Sequence, residues 1–140
     1  MEGQPTIQLV HDWFQRVWVL REPNAVEDMC TPGLIVHGMG PEPIIGASNF
    51  RTGVVDTFSA QFPEIQTEVH GVVLNGDHAG VRVRFTLRHK TKGWMMMEGA
   101  TFVRYEGVKI AEAWNYIDFL SLLIQTGSVS EDAMVALLYD

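Results

Sequence analysis

Hydrophobic residues recur at helical spacing in the first part of the chain and alternate with polar residues in the second part. Apolar positions three and four residues apart predict an amphipathic helix over residues 5–21. This helix should end before Pro23, because proline disfavours the helical conformation of the residue that precedes it. Helical patterns also appear over 25–29 and between Gly46 and Pro63, with a short apolar strand predicted over 34–37.

From residue 64 onward the pattern has a period of two, which is typical of β-strands. It predicts four strands over 64–74, 79–89, 94–105 and 109–118, joined by turns at 75–77, 90–93 and 106–108. An apolar segment over 119–124 follows directly, and a last helix is expected to begin near residue 130. Helices that precede a meander of long strands indicate an α+β fold. A curved, mainly antiparallel sheet wrapped around the N-terminal helices would leave a cavity at its open end.

Length and charge narrow the possible functions. A chain of 140 residues is expected to form one domain over 1–140. Its net charge of −7 argues against nucleic acid as a partner, since phosphate binding needs clustered Lys and Arg. Cys30 is the only cysteine, which fits a reducing compartment. We see no signal peptide or membrane-spanning segment, so we expect a cytoplasmic protein with no membrane partner.

The last long strand carries the most informative pattern. A strict period of two places one set of side chains on one face of this strand: Ile110, Glu112, Trp114, Tyr116 and Asp118. The opposite face receives Ala111, Ala113, Asn115 and Ile117. A buried carboxylate needs a partner or loses its charge, so acids among large aromatic rings suggest more than a structural role. We therefore predict that the first face is the wall of a pocket.

No familiar catalytic motif is present elsewhere. The chain has no Gly-x-Ser-x-Gly elbow, no phosphate-binding loop of the Walker A type, no Cys-x-x-Cys and no His-Glu-x-x-His. Its five histidines have no recognised ligand spacing, so we predict no metal site and no cofactor. The remaining option is acid/base chemistry by single side chains in an apolar pocket.

The final strand and the segment after it resemble the SnoaL-like polyketide cyclases, a family of the nuclear transport factor 2-like superfamily. The resemblance rests on Arg104, Lys109, Ile110, Trp114, Asp118, Leu122, Leu123, Gln125 and Gly127, and continues upstream in 35–38 and Gly46. It implies a cone-shaped α+β barrel and a homodimer. It also implies that Asp118 is the general acid/base and that His37, followed by Gly38, lies near the active site.

Each of these two assignments has a structural alternative. Carboxyl groups beside aromatic rings can donate and accept protons near neutrality, but Asp118 could equally cap the helical segment that begins at Phe119. His37 follows a short strand and precedes a loop rich in Gly and Pro, where the mouth of a pocket would lie. It could also be a core histidine that is hydrogen-bonded to the backbone.

Several further residues are predicted to bind substrate. They are Trp114, Tyr116, Arg104, His89, Met96, Glu98 and Phe58. Arg104 could hold a carboxylate or polarise a carbonyl, or it could simply face outward. His89 is in phase with the apolar face of its strand, but it could instead be solvated at the strand end. Met96 belongs to a run of three methionines that suits an irregular hydrophobic ligand or ordinary packing, and Glu98 is a possible second carboxylate.

The first functional hypothesis is a cofactor-independent cyclase or isomerase that acts on a hydrophobic polyketide- or terpenoid-type intermediate. In the cyclases that the chain resembles, the step is an intramolecular aldol condensation. A dehydratase or epoxide hydrolase of the same fold is an alternative, with Asn115 or Tyr116 holding a water molecule. A non-catalytic ligand-binding or dimerisation module is a third hypothesis, because one fold can host many functions.

Overall fold

The computed structural model describes residues 3–139, apart from the side chain of Met134. The helices are α1 (Ile7–Trp13), α2 (Ala25–Met29), α3 (Ala47–Phe50), α4 (Asp56–Gln61), α5 (Phe119–Gln125) and α6 (Asp132–Tyr139). Two π-helical turns, Phe14–Val19 and Arg51–Val55, extend α1 and join α3 to α4. The strands are β1 (Cys30–His37), β2 (Ile44–Ile45), β3 (Glu64–Asn75), β4 (His78–His89), β5 (Gly93–Glu106) and β6 (Lys109–Ile117).

The strands form one curved, unclosed sheet in the order β2-β1-β6-β5-β4-β3. Strands β3 to β6 are an antiparallel meander, whereas β1 pairs with β6 in parallel through residues such as Val36 and Ala113. The predicted α+β class and curved, mainly antiparallel sheet are therefore confirmed. The parallel pair matters for function because it brings the end of β1 beside the end of β6.

The helix formed by α1 and its π-helical turn packs on the inner face of the sheet. Phe14 and Trp18 both meet Phe85 of β4 edge to face, with ring centroids 6.1 and 6.2 Å apart. Such aromatic contacts contribute beyond the burial of apolar area alone. The predicted helix over 5–21 is thus present with slightly shorter bounds, and its apolar stripe forms one wall of the interior.

The first two strands differ from the prediction. Strand β1 begins at Cys30, four residues before the predicted start at residue 34. Its pairing with β6 shifts register between Cys30 and Ile35, which lets Pro32 and Gly33 sit within the strand without contributing to a regular ladder. The short strand β2 was not predicted, since two isoleucines are too few to show a period.

A bulge in the last hairpin changes which side chains of β6 face inward. Tyr105 pairs with Ile110, but the next pair is Arg104 with Glu112, so Ala111 is an additional residue. Ile110 faces the interior before the bulge. Beyond the bulge the inward positions are Ala113, Asn115 and Ile117. The prediction that Glu112, Trp114, Tyr116 and Asp118 form the pocket wall is therefore wrong, because a strict period of two does not continue through the bulge.

No helix within residues 3–139 is both long and apolar enough to cross a membrane. The predicted domain over 1–140 includes residues 1, 2 and 140, which lie outside the described residues. Its bounds stay a prediction.

Candidate functional site

A cavity of about 60 Å³ lies between the N-terminal helix and the inner face of the sheet. Most of its lining is apolar and aromatic: Val10, Trp13, Phe14, Trp18, Leu34, Val36, Met39, Phe50, Val81, Val83, Phe85, Val103, Ile110, Ala113 and Ile117. Hydroxyl, amide and thiol groups come from four further lining residues, namely Cys30, Thr101, Tyr105 and Asn115. A mostly apolar cavity with few polar groups is typical of small-molecule sites.

The cavity opens at one end of the sheet. Trp13, Met39, Asn115 and Ile117 are lining residues that remain partly exposed, and we call this end the mouth. At the other end Cys30 pairs with Ile110, and Ile110 pairs with Tyr105 on the next strand. All three of these side chains are buried. They form the closed end of the cavity.

Asn115 and Thr101 form a hydrogen-bonded pair at the mouth. The Thr101 hydroxyl donates to Asn115 Oδ1 at 2.6 Å, and Asn115 Nδ2 donates to the His37 carbonyl oxygen at 3.0 Å. These bonds fix the plane of the Asn115 amide, which can still offer its second N–H to a ligand oxygen. The pair therefore provides an oriented donor where a substrate would enter.

Tyr105 and Cys30 are protonated groups at the closed end. Burial raises the pKa of the Tyr105 hydroxyl to about 12 and that of the Cys30 thiol to about 12. Desolvation disfavours the charged form of both groups. Neither group is a base at neutral pH, and the cavity's lining includes no carboxylate or histidine among the described residues.

An ionic cluster lies on the outer face of the sheet. His37 Nε2 and Glu112 Oε2 are 2.8 Å apart, and Arg104 approaches the other Glu112 oxygen at 3.5 Å. The hydrogen bond from His37 lowers the pKa of Glu112, and the charge of Arg104 lowers it further against an opposing effect of desolvation. The His37 ring stacks on Trp114 with ring centroids 5.6 Å apart. The side chain of His37 therefore turns away from the cavity, while its carbonyl oxygen contacts Asn115.

Asp118 is exposed and caps helix α5. Its Oδ1 accepts a hydrogen bond from the backbone N–H of Ser121 at 2.9 Å. Asp118 directly follows Ile117, which lines the mouth, but Asp118 itself is not part of the lining. The structural alternative that the sequence left open, a helix cap, is thus the role seen in the described residues.

The other predicted binding residues also lie outside the cavity. Met96, Glu98 and Arg104 alternate with the buried residues of β5, so they project from the outer face, as do Trp114 and Tyr116. His89 accepts backbone hydrogen bonds from Thr91 and Lys92 and caps the turn after β4. Phe58 packs against Trp18 and Phe62 beside the core. None of them lines this cavity, although Phe58 supports its wall through Trp18, and their role in substrate binding stays a prediction.

Sequence reasoning did not identify Thr101 and Tyr105 as groups that face the cavity, and it named Asn115 only as a water-holding residue of the dehydratase or hydrolase alternative. Thr101 and Tyr105 are inward positions of β5, in phase with Met95, Met97 and Val103. Their alternation with outward residues could have identified them. Asn115 could be placed only by knowing the bulge at Ala111. Within residues 3–139, no three or more His, Cys, Asp or Glu side chains gather in a way that could hold a metal ion.

Comparison with known families gives one clear match. The family model described as SnoaL-like polyketide cyclase matches residues 8–126, which is most of the chain. A comparison with curated proteins finds no match.

Solved structures share the architecture at low sequence identity. A candidate polyketide cyclase from Acidithiobacillus ferrooxidans superposes with a TM-score of 0.78 at 21% identity, covering 88% of this chain and 94% of that one. AclR, a candidate hydroxylase from Streptomyces galilaeus, gives 0.76 at 17% identity, covering 93% and 85%. A Catenulispora acidiphila protein with a ketosteroid isomerase-like fold, solved with trimethylamine, gives 0.76 at 20% identity, covering 87% and 94%. These similarities establish the fold.

Proposed function

Because the chain belongs to the SnoaL-like polyketide cyclase family, we propose that it is a cofactor-independent cyclase or isomerase acting on a hydrophobic, oxygenated intermediate of polyketide or terpenoid type. The observation that carries this proposal is the apolar cavity with the Asn115–Thr101 pair at its mouth. Apolar walls favour burial of the carbon skeleton, and the fixed amide favours one orientation of a carbonyl group.

The proposed reaction begins with removal of a proton from a carbon next to a carbonyl group. The resulting enolate attacks a second carbonyl carbon of the same molecule, and the new alkoxide takes up the proton, so that the product is an isomer of the substrate. The free N–H of Asn115 would donate to the carbonyl oxygen on which negative charge develops. Confinement of the substrate's carbon chain by Trp13, Phe50 and Met39 would bring its two carbonyl groups together.

Asp118 is the proposed acid/base, acting at the mouth and not inside the cavity. A volume of about 60 Å³ has room for about four water molecules. A natural-product intermediate is larger, so part of it would extend through the mouth toward the residue after Ile117. Only Oδ1 of Asp118 accepts a hydrogen bond from a described residue, which leaves Oδ2 for proton transfer. His37 would be a positioning residue, because its carbonyl oxygen holds Asn115.

Two asparagine variants test this role. Asp118→Asn keeps a good helix cap but cannot exchange a proton, so we expect a loss of at least about 100-fold in kcat with an unchanged melting temperature. Asp132→Asn, an exposed acid in the first turn of α6, is the matched control and should keep full activity. The substrates would be synthetic poly-β-keto thioesters, with products identified by mass spectrometry. Full activity of Asp118→Asn would overturn the assignment of Asp118.

Product mass separates the reaction classes. Cyclisation or isomerisation leaves the mass unchanged, dehydration removes one water, and epoxide opening adds one. A non-catalytic binding module is the second candidate, and the absence of a carboxylate or histidine from the described lining favours it. That candidate predicts saturable binding of the same compounds with no turnover.

The proposed partner is a second copy of the chain, which would bind to the outer face of the sheet. This face exposes at least half of each of four large apolar side chains, namely Trp94, Met96, Phe102 and Tyr116. Phe102 and Tyr116 are neighbours, with ring centroids 6.2 Å apart, and exposed apolar patches mark interaction sites. Light scattering should give a dimer for the wild type and a monomer for Phe102→Glu. A wild-type monomer at concentrations of tens of micromolar would contradict the proposal.

A further inference from the structure

The hydroxyl of Tyr105, at the closed end of the cavity, keeps some accessible surface and forms no hydrogen bond with a described residue. Tyr105 is 3% exposed and lines the cavity, and no described side chain or backbone group within residues 3–139 forms a hydrogen bond with its hydroxyl. A hydroxyl that faces a cavity and has no protein partner is free to bond to a ligand or to water. The mechanism proposed above does not use it.

The surroundings of Tyr105 make it a donor. The neighbouring positions across the strands are Ile110 and then Cys30, an apolar side chain and a buried thiol, which is at best a weak acceptor. Burial raises the pKa of Tyr105 to about 12, so the hydroxyl keeps its proton throughout the neutral range. A protonated hydroxyl in an apolar site has more to gain from an acceptor oxygen than from another donor.

We propose that the Tyr105 hydroxyl donates a hydrogen bond to a carbonyl or hydroxyl oxygen of the bound molecule, which therefore enters the cavity oxygen first. This inference rests on the proposed function, in that the cavity takes a small oxygenated molecule. It adds the direction of entry and a second polar contact, distant from the Asn115–Thr101 pair.

The two polar contacts lie at different depths of the cavity. Thr101 and Tyr105 are four residues apart on β5, which corresponds to about 13 Å along a strand. Between them the lining is apolar, with Val103 on the same strand and Val83 and Phe85 on β4. The two polar contacts are therefore separated by an apolar section of the lining.

A cycle of two ligands and two protein variants tests the inference. Cyclohexanone and methylenecyclohexane have almost the same shape, but only the ketone accepts a hydrogen bond. Binding to the full chain would be measured by NMR titration, with the carbonyl-carbon shift of ¹³C-labelled cyclohexanone as a direct report of a donor. Tyr105→Phe removes the hydroxyl, while Tyr116→Phe makes the same change on the exposed outer face, where Tyr116 is 65% exposed.

The expected result is selective. Tyr105→Phe should weaken cyclohexanone binding by about 2- to 12-fold, the range of one neutral hydrogen bond, and should leave methylenecyclohexane binding unchanged. Tyr116→Phe should change neither. Equal weakening of both ligands would mean that Tyr105 only packs, and unchanged binding of both, or no binding of cyclohexanone to the wild type, would also overturn the inference.

Failure of the inference about Tyr105 can be distinguished from failure of the proposed function. The proposed function fails if no product of unchanged mass forms and Asp118→Asn has no effect, whatever the Tyr105 cycle gives. The inference about Tyr105 fails on the binding cycle alone, since that cycle requires no turnover.

Discussion

His37 and Glu112 are joined by a hydrogen bond of 2.8 Å between Nε2 and Oε2, across the parallel strands β1 and β6. Arg104 of β5 reaches the same carboxylate, so this one acidic side chain of β6 contacts both neighbouring strands. Asn115 of β6 lies on the inner face close to this cluster and donates a hydrogen bond to the His37 carbonyl oxygen of β1. The outer cluster is therefore in a position to stabilise the strands that form the mouth.

The first prediction concerns acid stability. The hydrogen bond from His37, helped by Arg104, gives Glu112 a lower pKa in the folded protein than in the unfolded chain. Its stabilising contribution is therefore present above the unfolded value of about 4.3 and is lost as the pH falls through the folded value. We expect the melting temperature of Glu112→Gln to lie below that of the wild type near pH 7, with the difference shrinking below about pH 4. Glu106→Gln, which loses a more exposed contact to Arg104, is the control. A difference that is independent of pH would contradict this explanation.

The second prediction separates the two roles of Asp118. Because its Oδ1 caps α5 through Ser121, Asp118→Ala should lower the free energy of unfolding by about 1 kcal/mol. Asp118→Asn should stay within a few tenths of 1 kcal/mol of the wild type, since asparagine caps equally well. Urea denaturation measures both. If Asn destabilises as much as Ala, a negative charge and not the cap is what the fold requires.

A third prediction addresses the pair at the mouth. Thr101→Val keeps the shape of the side chain but removes the donor to Asn115 Oδ1 and to the Trp114 carbonyl oxygen. We expect a loss of about 1–3 kcal/mol in the free energy of unfolding, because a half-buried acceptor is left without its partner. We also expect a raised KM, since the amide of Asn115 is then free to rotate. Thr86→Val is the control on β4, as no described residue bonds to its hydroxyl. Equal effects of the two variants would argue against the pair.

The fourth prediction concerns the turn out of β1. Gly38 has a φ of +90°, and a Cβ at this position would overlap the carbonyl oxygen of Asn115. Gly38→Ala should therefore lower the free energy of unfolding by about 2 kcal/mol or more and displace the mouth. Gly33→Ala is the matched control, because a Cβ there meets nothing within 4 Å. Thermal unfolding compares them, and equal stability of the two variants would rule out close contact at Gly38.

The fifth prediction concerns alkaline pH. Tyr105 is one of three tyrosines, and burial raises its pKa to about 12. A raised folded pKa means that the associated stability is complete below the unfolded value of about 10 and is lost as the pH rises toward 12. The absorbance of tyrosinate should show one late-titrating group, absent in Tyr105→Phe and retained in Tyr116→Phe. The absence of a late-titrating tyrosine from the wild type would contradict the buried position.

Much of the fold follows from the sequence because its hydrophobic patterns continue over long stretches of chain. The alternation of Val81, Val83, Phe85 and Leu87 is maintained over β4, so its bounds and inward face were predictable. The first helix was equally clear, and Pro23 fixed where it had to end. Family resemblance supplied the cone-shaped arrangement, which no local pattern contains.

The site was less predictable, for a local reason. One additional residue, Ala111, reverses the face of every later side chain on β6, so Trp114 moves outward and Asn115 inward. Nothing in the residues around Ala111 marks the bulge, which depends on pairing with β5. Asp118 then falls at a helix start, where aspartate is common for reasons unrelated to catalysis.

The parallel pairing of β1 with β6 also has a consequence for biosynthesis. Strand β1 ends at His37, but the strand beside it begins only at Lys109. More than half of the chain lies between these two residues and must be translated before β1 can pair with β6. The meander of β3, β4 and β5 can form earlier, because its contacts are local. While a ribosome is still adding β6, the N-terminal helices face an incomplete wall, and apolar surface that later encloses the ligand is open to chaperones and to other nascent chains.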